Sequence, residues 1–466
     1  MAVVLTGLVL ASVRQEPQLV RLAPLPVSAA LWAVFAAGAW LVLATPVRRS
    51  VPLILLGGIA IQLAALSAAP RGSDDLYRYI WDGRVQAEGI DPYRYAPASP
   101  QLARLRDPLL WPARGPHCVT SGDALAARPG LALNPGCTRI NRPTVHTVYP
   151  PAAEAYFAAV HELSPPGSGS APIQAGAAFF AAATTVLLLF GLRSVGRDPR
   201  LAVLWAWCPA VALEAGNNAH VDVLAAFLTA AALLALARKG SRRRTVCGGM
   251  LLGLAVATKL TPILAVPAVL RRRPATVAAA AAGATMTVYL PHLLAVGGGV
   301  IGFLPGYLAE EGYSSGGRFV LLALVAPGSW ATIAAVAVLA AAGLAVLRRT
   351  DPDRPWRGAV VMTGAALAVT TPWISWYSLL LVVLVAMDGR AEWLALAAAR
   401  YLTPLHPLPH VTIFEPGRTG YGCAVAIVAT VSAVRWMRRD PGHLETMDAD
   451  GLRQSQLSVP AGTALR

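Results

Sequence analysis

Residues 51–97 read VPLILLGGIAIQLAALSAAPRGSDDLYRYIWDGRVQAEGIDPYRYAP, and the change of character within them decides the fold class. Residues 51–69 are a predominantly apolar run long enough to cross a bilayer as a helix. The chain then turns abruptly to paired carboxylates, arginines and aromatics. Ser73 is a good N-cap and the acidic residues after it complement a helix dipole, so a short polar helix follows the membrane run. At helical spacing Asp74 and Arg78 share a face with Asp82, and Asp75, Tyr79, Asp82 and Gln86 line the adjoining stripe. Gly89 and the Asp91-Pro92 pair end the helix. Taken alone, two aspartates at a helix start are ordinary capping residues and an Arg with an Asp four residues on is an ordinary surface pair.

The rest of the chain agrees with a membrane setting. It is 56% hydrophobic and 14% charged over 466 residues, with a mean hydropathy of +0.54, which places it in a bilayer. The net charge of +15 comes almost wholly from arginine, since Lys239 and Lys259 are the only lysines. That charge is a topology signal and gives no reason to expect nucleic acid as a partner. Residues 1–13 read as a truncated first span in preference to a poor signal peptide. Spans are expected at 28–45 and 51–69, then near 174–192, 201–216, 220–237, 245–257, 260–270, 275–296, 330–347, 358–371, 376–387, 391–408 and 419–435. Several are too short for a full crossing, which gives a range of eleven to fourteen helices with some broken or re-entrant.

These spans force alternate connections onto opposite sides. Connections on one side hold Arg48, Arg49, Arg193, Arg197, Arg200, Arg238, Lys239, Arg242 to Arg244, Arg271 to Arg273, Arg348, Arg349, Arg354, Arg357 and Arg390. Short connections on the other side hold only Arg14, Arg21, Lys259, Arg318 and Arg418. By the positive-inside rule the first side is cytoplasmic, and the acidic helix lies outside, on a bacterial plasma-membrane protein. The expected organisation is membrane helices over 1–69, an extracytoplasmic loop over 70–172, a helical bundle over 173–437, and a polar, disordered cytoplasmic tail over 438–466. Cys118 and Cys137 lie in that loop and are candidates for a disulfide; His117 alone adds too little for a metal site.

The same topology sends Glu214, Asn217, Asn218, His220 and Asp222 to the outer face, with Lys259, Glu310, Glu311, Arg318, Trp373, Trp376, Tyr377 and Arg400. Aromatics at span ends are commonly belt residues, and twin asparagines commonly end helices. Lys259, Arg400 and Asp222 are different, because ionisable groups at membrane depth face a cavity or a partner. Carboxylates and cations gathered just outside a bilayer suit a substrate that is part lipid and part polar, such as a polyprenyl-phosphate sugar. Lys259, Arg318 or Arg400 would meet its phosphate, and its sugar would need polar and aromatic contacts just above. A carboxylate near an acceptor hydroxyl would act as general base in a single, inverting displacement. The lipid phosphate leaves well, so no cofactor is required; a divalent metal is possible but not indicated.

SDDLYRYIWDGRVQAEGIDPYRYAP, with TVYPP at 147–151, resembles the polyprenyl-phosphate-sugar-dependent transferases of the GT-C superfamily. Within it the resemblance is to bacterial glycosyltransferase family 87 and its actinobacterial α-mannosyltransferase relatives, and more weakly to the first GPI mannosyltransferase. It implies a many-spanning all-α membrane enzyme whose first large outer loop bears the catalytic acidic motif. Asp74 matches the leading acidic residue, Tyr77 the tyrosine and Asp82 the later aspartate. By that match Asp74 is the first choice of base, with Asp75 assisting or replacing it, and Arg78, Tyr149 and Pro150 shape the pocket. Tyr79, Asp82, His220, Asp222, Lys259, Arg318, Trp373, Trp376 and Arg400 complete the expected substrate site. Mannose is implied by resemblance alone, and the acceptor, a glycan, glycolipid or lipoglycan of the cell envelope, is not readable. The rival reading is a transporter or flippase of a lipid-linked saccharide, which would want midplane charges and an internal repeat.

Overall fold

The computed structural model describes residues 1–14, 24–112, 136–238, 240–403 and 416–438. Among them there is no strand; the regular elements are helices. The principal ones are α1 (Ala2–Arg14), α2 (Pro24–Ala44), α3 (Val47–Leu66), α4 (Asp75–Ala87), α5 (Pro151–Glu162), α6 (Ala171–Ser194), α7 (Asp222–Ala237) and α8 (Arg242–Thr258). They continue with α9 (Pro274–Val296), α10 (Ser329–Arg349), α11 (Trp356–Thr370), α12 (Leu379–Asp388) and α13 (Pro416–Met437). Among the described residues six helices are long and apolar enough to cross a membrane, and three shorter apolar ones accompany them. The chain is therefore an all-helical, polytopic membrane protein.

Where the expected spans are interrupted, the sequence supplies the cause. The run at 201–216 breaks into short pieces around Trp207 and Cys208, with Pro209 opening the next turn and a π-helix over Ala212–Asn217. The run at 260–270 splits at Pro262 and Pro267 into a 3-10 turn and a single α turn. Beyond residue 403, the span expected at 391–408 leaves the described residues. The tail expected over 438–466 lies outside them from residue 439.

The bundle centre is α12. Its sequence LLLVVLVAMD is apolar all round, and every residue from Leu379 to Asp388 is buried. It is surrounded by α7, α11 and the short helix Val203–Ala206. α7 also packs on α6 and on α8, and α8 runs along α9. The α8 and α9 backbones touch because Gly249 and Gly253 are four apart on one face: a Cβ at Gly253 would sit 2.2 Å from the Ala281 carbonyl oxygen. This small-xxx-small pattern was readable in the sequence.

Two ends of the bundle differ in chemistry. At one end the arginines gather: Arg357 and Arg390 pair with Asp388, Arg197 donates to the Asp388 carbonyl at 2.6 Å, and Arg272 pairs with Asp353 at 2.6 Å. At the other end lie α4, α5 and the turns at 217–222, 259–262 and 371–378, which form the site described next.

Candidate active site

Twin asparagines fix the entry to α4. Asn217 Nδ2 donates to the carbonyls of Ala65, Ala68 and Ala69, where α3 ends. Asn218 Oδ1 accepts the backbone N–H groups of Arg71 and Gly72, at 3.2 and 2.8 Å. The chain therefore meets α4 with Ser73 buried and its Oγ accepting the Asp75 N–H at 3.1 Å. Asp74, and not Ser73, occupies the N-cap position, and Asp75 is the first helical residue.

The two aspartates face different groups. Tyr77, whose hydroxyl is pushed up by burial, feels both Arg139 and Asp74, and Arg139 stands over its ring at 5.6 Å. Asp75 turns inward. Its Oδ1 accepts from Asn141 Nδ2, and its Oδ2 lies 3.6 Å from Nδ1 of His220. His220 stacks on Trp376 with ring centroids 3.8 Å apart, and its Nε2 is 3.6 Å from Glu214 on the π-helix.

Beside this group Lys259 caps the C-terminus of α8, where the helix dipole favours a cation. Its ammonium is 3.0 Å from Asp222 and lies over the rings of Tyr149 and Tyr377, at 5.5 and 5.7 Å. The Tyr377 hydroxyl bonds that of Tyr307, over whose ring Arg142 stands. Burial pushes the Arg142 guanidinium down, but its pair with Glu310 at 2.8 Å, helped by Asp75 and Tyr307, outweighs this and holds it above its ordinary value. Further along, Arg318 is fully buried and paired with Glu311, which also accepts Trp373 Nε1 at 3.0 Å. Arg400 donates to the Trp373 carbonyl and to Thr403 Oγ1. Trp373 thus joins the two arginines. Asp75, His220, Trp376, Asp222, Lys259 and Tyr149 are brought into one cluster, with Arg318, Trp373 and Arg400 in a second beside it.

Arg78 and Asp82 sit elsewhere, buried where α4 meets α5, and Tyr79 lies between them and the first cluster. Arg78 Nε bonds both oxygens of Asp82, at 2.9 and 3.0 Å, and Nη1 reaches the Val145 carbonyl. Tyr79 stacks on Phe157 with centroids 4.3 Å apart and meets Tyr149 edge-on. Glu154 on α5 accepts Thr147 Oγ1 at 2.7 Å and Gln86 Nε2 at 3.0 Å. Burial pushes the Glu154 carboxyl well above the carboxylate range, and neighbouring Asp82 adds to that. Burial also raises Asp82, in spite of Arg78. Two buried carboxyls in contact are satisfied when they share a proton. Pro150 is the N-cap residue of α5 and sets its start directly after Tyr149. The Tyr149 hydroxyl is pushed far up by burial, with Asp75 and Tyr79 adding to the rise.

Asn141, Glu214, Tyr307 and Glu154 are parts of this arrangement that the sequence reading did not assign to the site. Glu214 carried a signal, an ionisable residue inside an apolar stretch. Asn141 and Tyr307 carried none, because a polar residue in a polar loop stands out only once the fold is known. A further link, His292 Nδ1 to Asp91 Oδ2 at 2.7 Å, ties the C-terminal part of α9 to the turn after α4 across 201 residues. Cys137 is disulfide-bonded; Cys118, its expected partner, lies outside the described residues. Among the described residues no group of three or more His, Cys, Asp or Glu side chains is placed to hold a metal ion.

Residues 147–372 match the family model of glycosyltransferase family 87. Over that stretch the chain is similar to this family. It is a membrane glycosyltransferase of the GT-C type, which decides between the two functional expectations in favour of the enzyme. The matched stretch of the transferase carries Tyr149, Glu214, His220, Asp222, Lys259 and Arg318, while Asp74, Asp75, Trp376 and Arg400 lie outside it. No curated protein and no solved structure matches the chain.

Proposed function

We propose that the transferase moves a sugar from a polyprenyl-phosphate donor to a cell-envelope glycan, glycolipid or lipoglycan, at the extracytoplasmic face, with inversion and with Asp75 as general base. The observation that carries the reading is the convergence of Asp75, Asp222 and Lys259 at one end of an apolar bundle, opposite the arginine-rich end. Asp75 is preferred to Asp74 because its carboxylate faces this convergence, whereas Asp74 acts on Tyr77 beside Arg139.

The acceptor hydroxyl gives its proton to Asp75 as its oxygen bonds the anomeric carbon. The bond from that carbon to the phosphate oxygen breaks, and its electron pair leaves with the lipid phosphate. Lys259 has three ammonium donors and spends one on Asp222, so two remain for the phosphate. Arg318 and Arg400 supply charge further along the same face. Tyr149 and Tyr377 flank Lys259 and offer ring faces to a sugar. Mannose is the sugar that the family resemblance implies.

Proteoliposomes carrying the protein test the donor class. Radiolabelled polyprenyl-phosphate mannose, supplied with a membrane acceptor fraction, should yield labelled acceptor. Labelling from a nucleotide sugar in the absence of any lipid-linked donor would contradict the reading.

A further inference from the structure

His220 is fully buried, yet neither ring nitrogen has a hydrogen-bond partner. Desolvating two imidazole nitrogens without partners is costly, so the placement calls for a reason. Each nitrogen points at a carboxylate 3.6 Å away, Nδ1 at Asp75 and Nε2 at Glu214.

The surroundings of Glu214 set the ring's tautomer. Its Oε1 accepts Ser375 Oγ and Tyr401 OH, each at 2.7 Å, and its Oε2 accepts Asn218 Nδ2 at 2.9 Å. The orientation of Asn218 is fixed from its other end, because Oδ1 takes the backbone N–H groups of Arg71 and Gly72. Three donors converging on one carboxylate favour its ionised, acceptor-only form. An ionised Glu214 calls for a hydrogen on Nε2 of His220. Nδ1 is then a bare lone pair aimed at Asp75.

We propose that His220 is a positioning residue of the transfer reaction whose Nδ1 takes from Asp75 the proton that Asp75 removes from the acceptor. The proposal rests on Asp75 being the base. As the glycosidic bond forms and the phosphate departs, Asp75 becomes a carboxylic acid. Its O–H bond then breaks, the proton binds Nδ1, and Asp75 is a carboxylate again. The resulting imidazolium keeps its Nε2–H on Glu214 and lies against the Trp376 ring, which favours a cation. The charged groups around the ring are Asp75 from α4, Glu214 from the π-helix and Lys259 from the end of α8. Burial opposes the imidazolium most and Lys259 adds to that, while Asp222 lies 3.0 Å from the Lys259 ammonium. Return of the proton runs through Asp75, whose side chain is 15% exposed while His220 has no exposure. Both 3.6 Å separations close to about 3 Å in the substrate complex, the tightening that catalytic hydrogen bonds show on binding.

Two measurements test this on the full-length protein in lipid nanodiscs. With 15N-labelled histidine, the resonance that disappears in His220→Gln should belong to an Nε2–H tautomer with unprotonated Nδ1; an Nδ1–H tautomer would overturn the proposal without any activity assay. In the transfer assay His220→Gln should lower kcat by about ten- to a hundredfold and leave the donor KM within about twofold. Wild-type kcat in His220→Gln, with Asp75→Asn inactive, removes His220 from the reaction and leaves the base in place. Wild-type activity in Asp75→Asn removes the base as well.

Discussion

Asp74 and Asp75 are adjacent in sequence, but a helix start turns successive side chains by about 100°, and that rotation gives them different neighbours. One meets Tyr77 beside Arg139, the other Asn141 and His220. No property of the dipeptide distinguishes them, and the sequence motif favours Asp74; the register of α4 against His220 is a tertiary fact. Lys259 was legible from the sequence, since an ammonium inside an apolar run needs a partner, and Asp222 is that partner. If Lys259 meets the donor phosphate, Lys259→Ala should raise the donor KM by about tenfold or more. Free polyprenyl phosphate, competitive against the wild type, should inhibit the variant correspondingly less. Glu154 gives a prediction of another kind. Its folded-state carboxyl lies above its unfolded value, so the stability it contributes is complete below the unfolded pKa and is lost as pH rises through the folded one. The thermal midpoint of the wild type should therefore fall across that rise, and Glu154→Gln, which cannot ionise, should flatten the fall. An unchanged midpoint–pH curve in Glu154→Gln would show that the proton is not shared there.

At the scale of elements, α4 is held by α5. Gly83 makes this possible: a Cβ there would lie 2.5 Å from the Phe157 carbonyl oxygen, a backbone atom that cannot swing aside. Gly83→Ala should separate the two helices, withdraw Asp75 from His220, and cut transfer by about tenfold or more with a lowered thermal midpoint. Full activity in Gly83→Ala would mean that the contact does not position the base. The polar helix itself was legible from its N-terminal acids and its Gly and Asp-Pro stop, and it starts at Asp75, one residue later than a Ser73 cap would place it. Its apparent surface pair was misleading: Arg78 and Asp82 have the spacing of an exposed salt bridge, yet both are buried against α5. The π-helix that presents Glu214 was illegible, because it arises where Pro209 interrupts an apolar run, and hydropathy reads that run as a plain span.

For the whole molecule, the alternation of basic and polar connections was the strongest signal. The arginine-rich turns do meet at one end, around Asp388 and Asp353, and at the other the acidic helix meets His220, with the Lys259–Asp222 pair beside it. Crossing number was less legible, since runs broken by Pro262 and Pro267 carry full hydropathy without full helical length. If the site end faces outward, a cysteine placed at Ser99 should react with a membrane-impermeant maleimide on intact cells and one at Gly240 should not; the reverse pattern would invert the topology. The central claim is that Asp75 removes the acceptor's proton. The most direct test is transfer from radiolabelled polyprenyl-phosphate sugar by purified, correctly folded Asp75→Asn and Asp74→Asn proteins in the same lipid. Asp75→Asn should lose about a thousandfold or more in kcat with donor binding retained, and Asp74→Asn should keep measurable turnover. Turnover retained in Asp75→Asn and lost in Asp74→Asn would assign the base to the other aspartate and contradict the account.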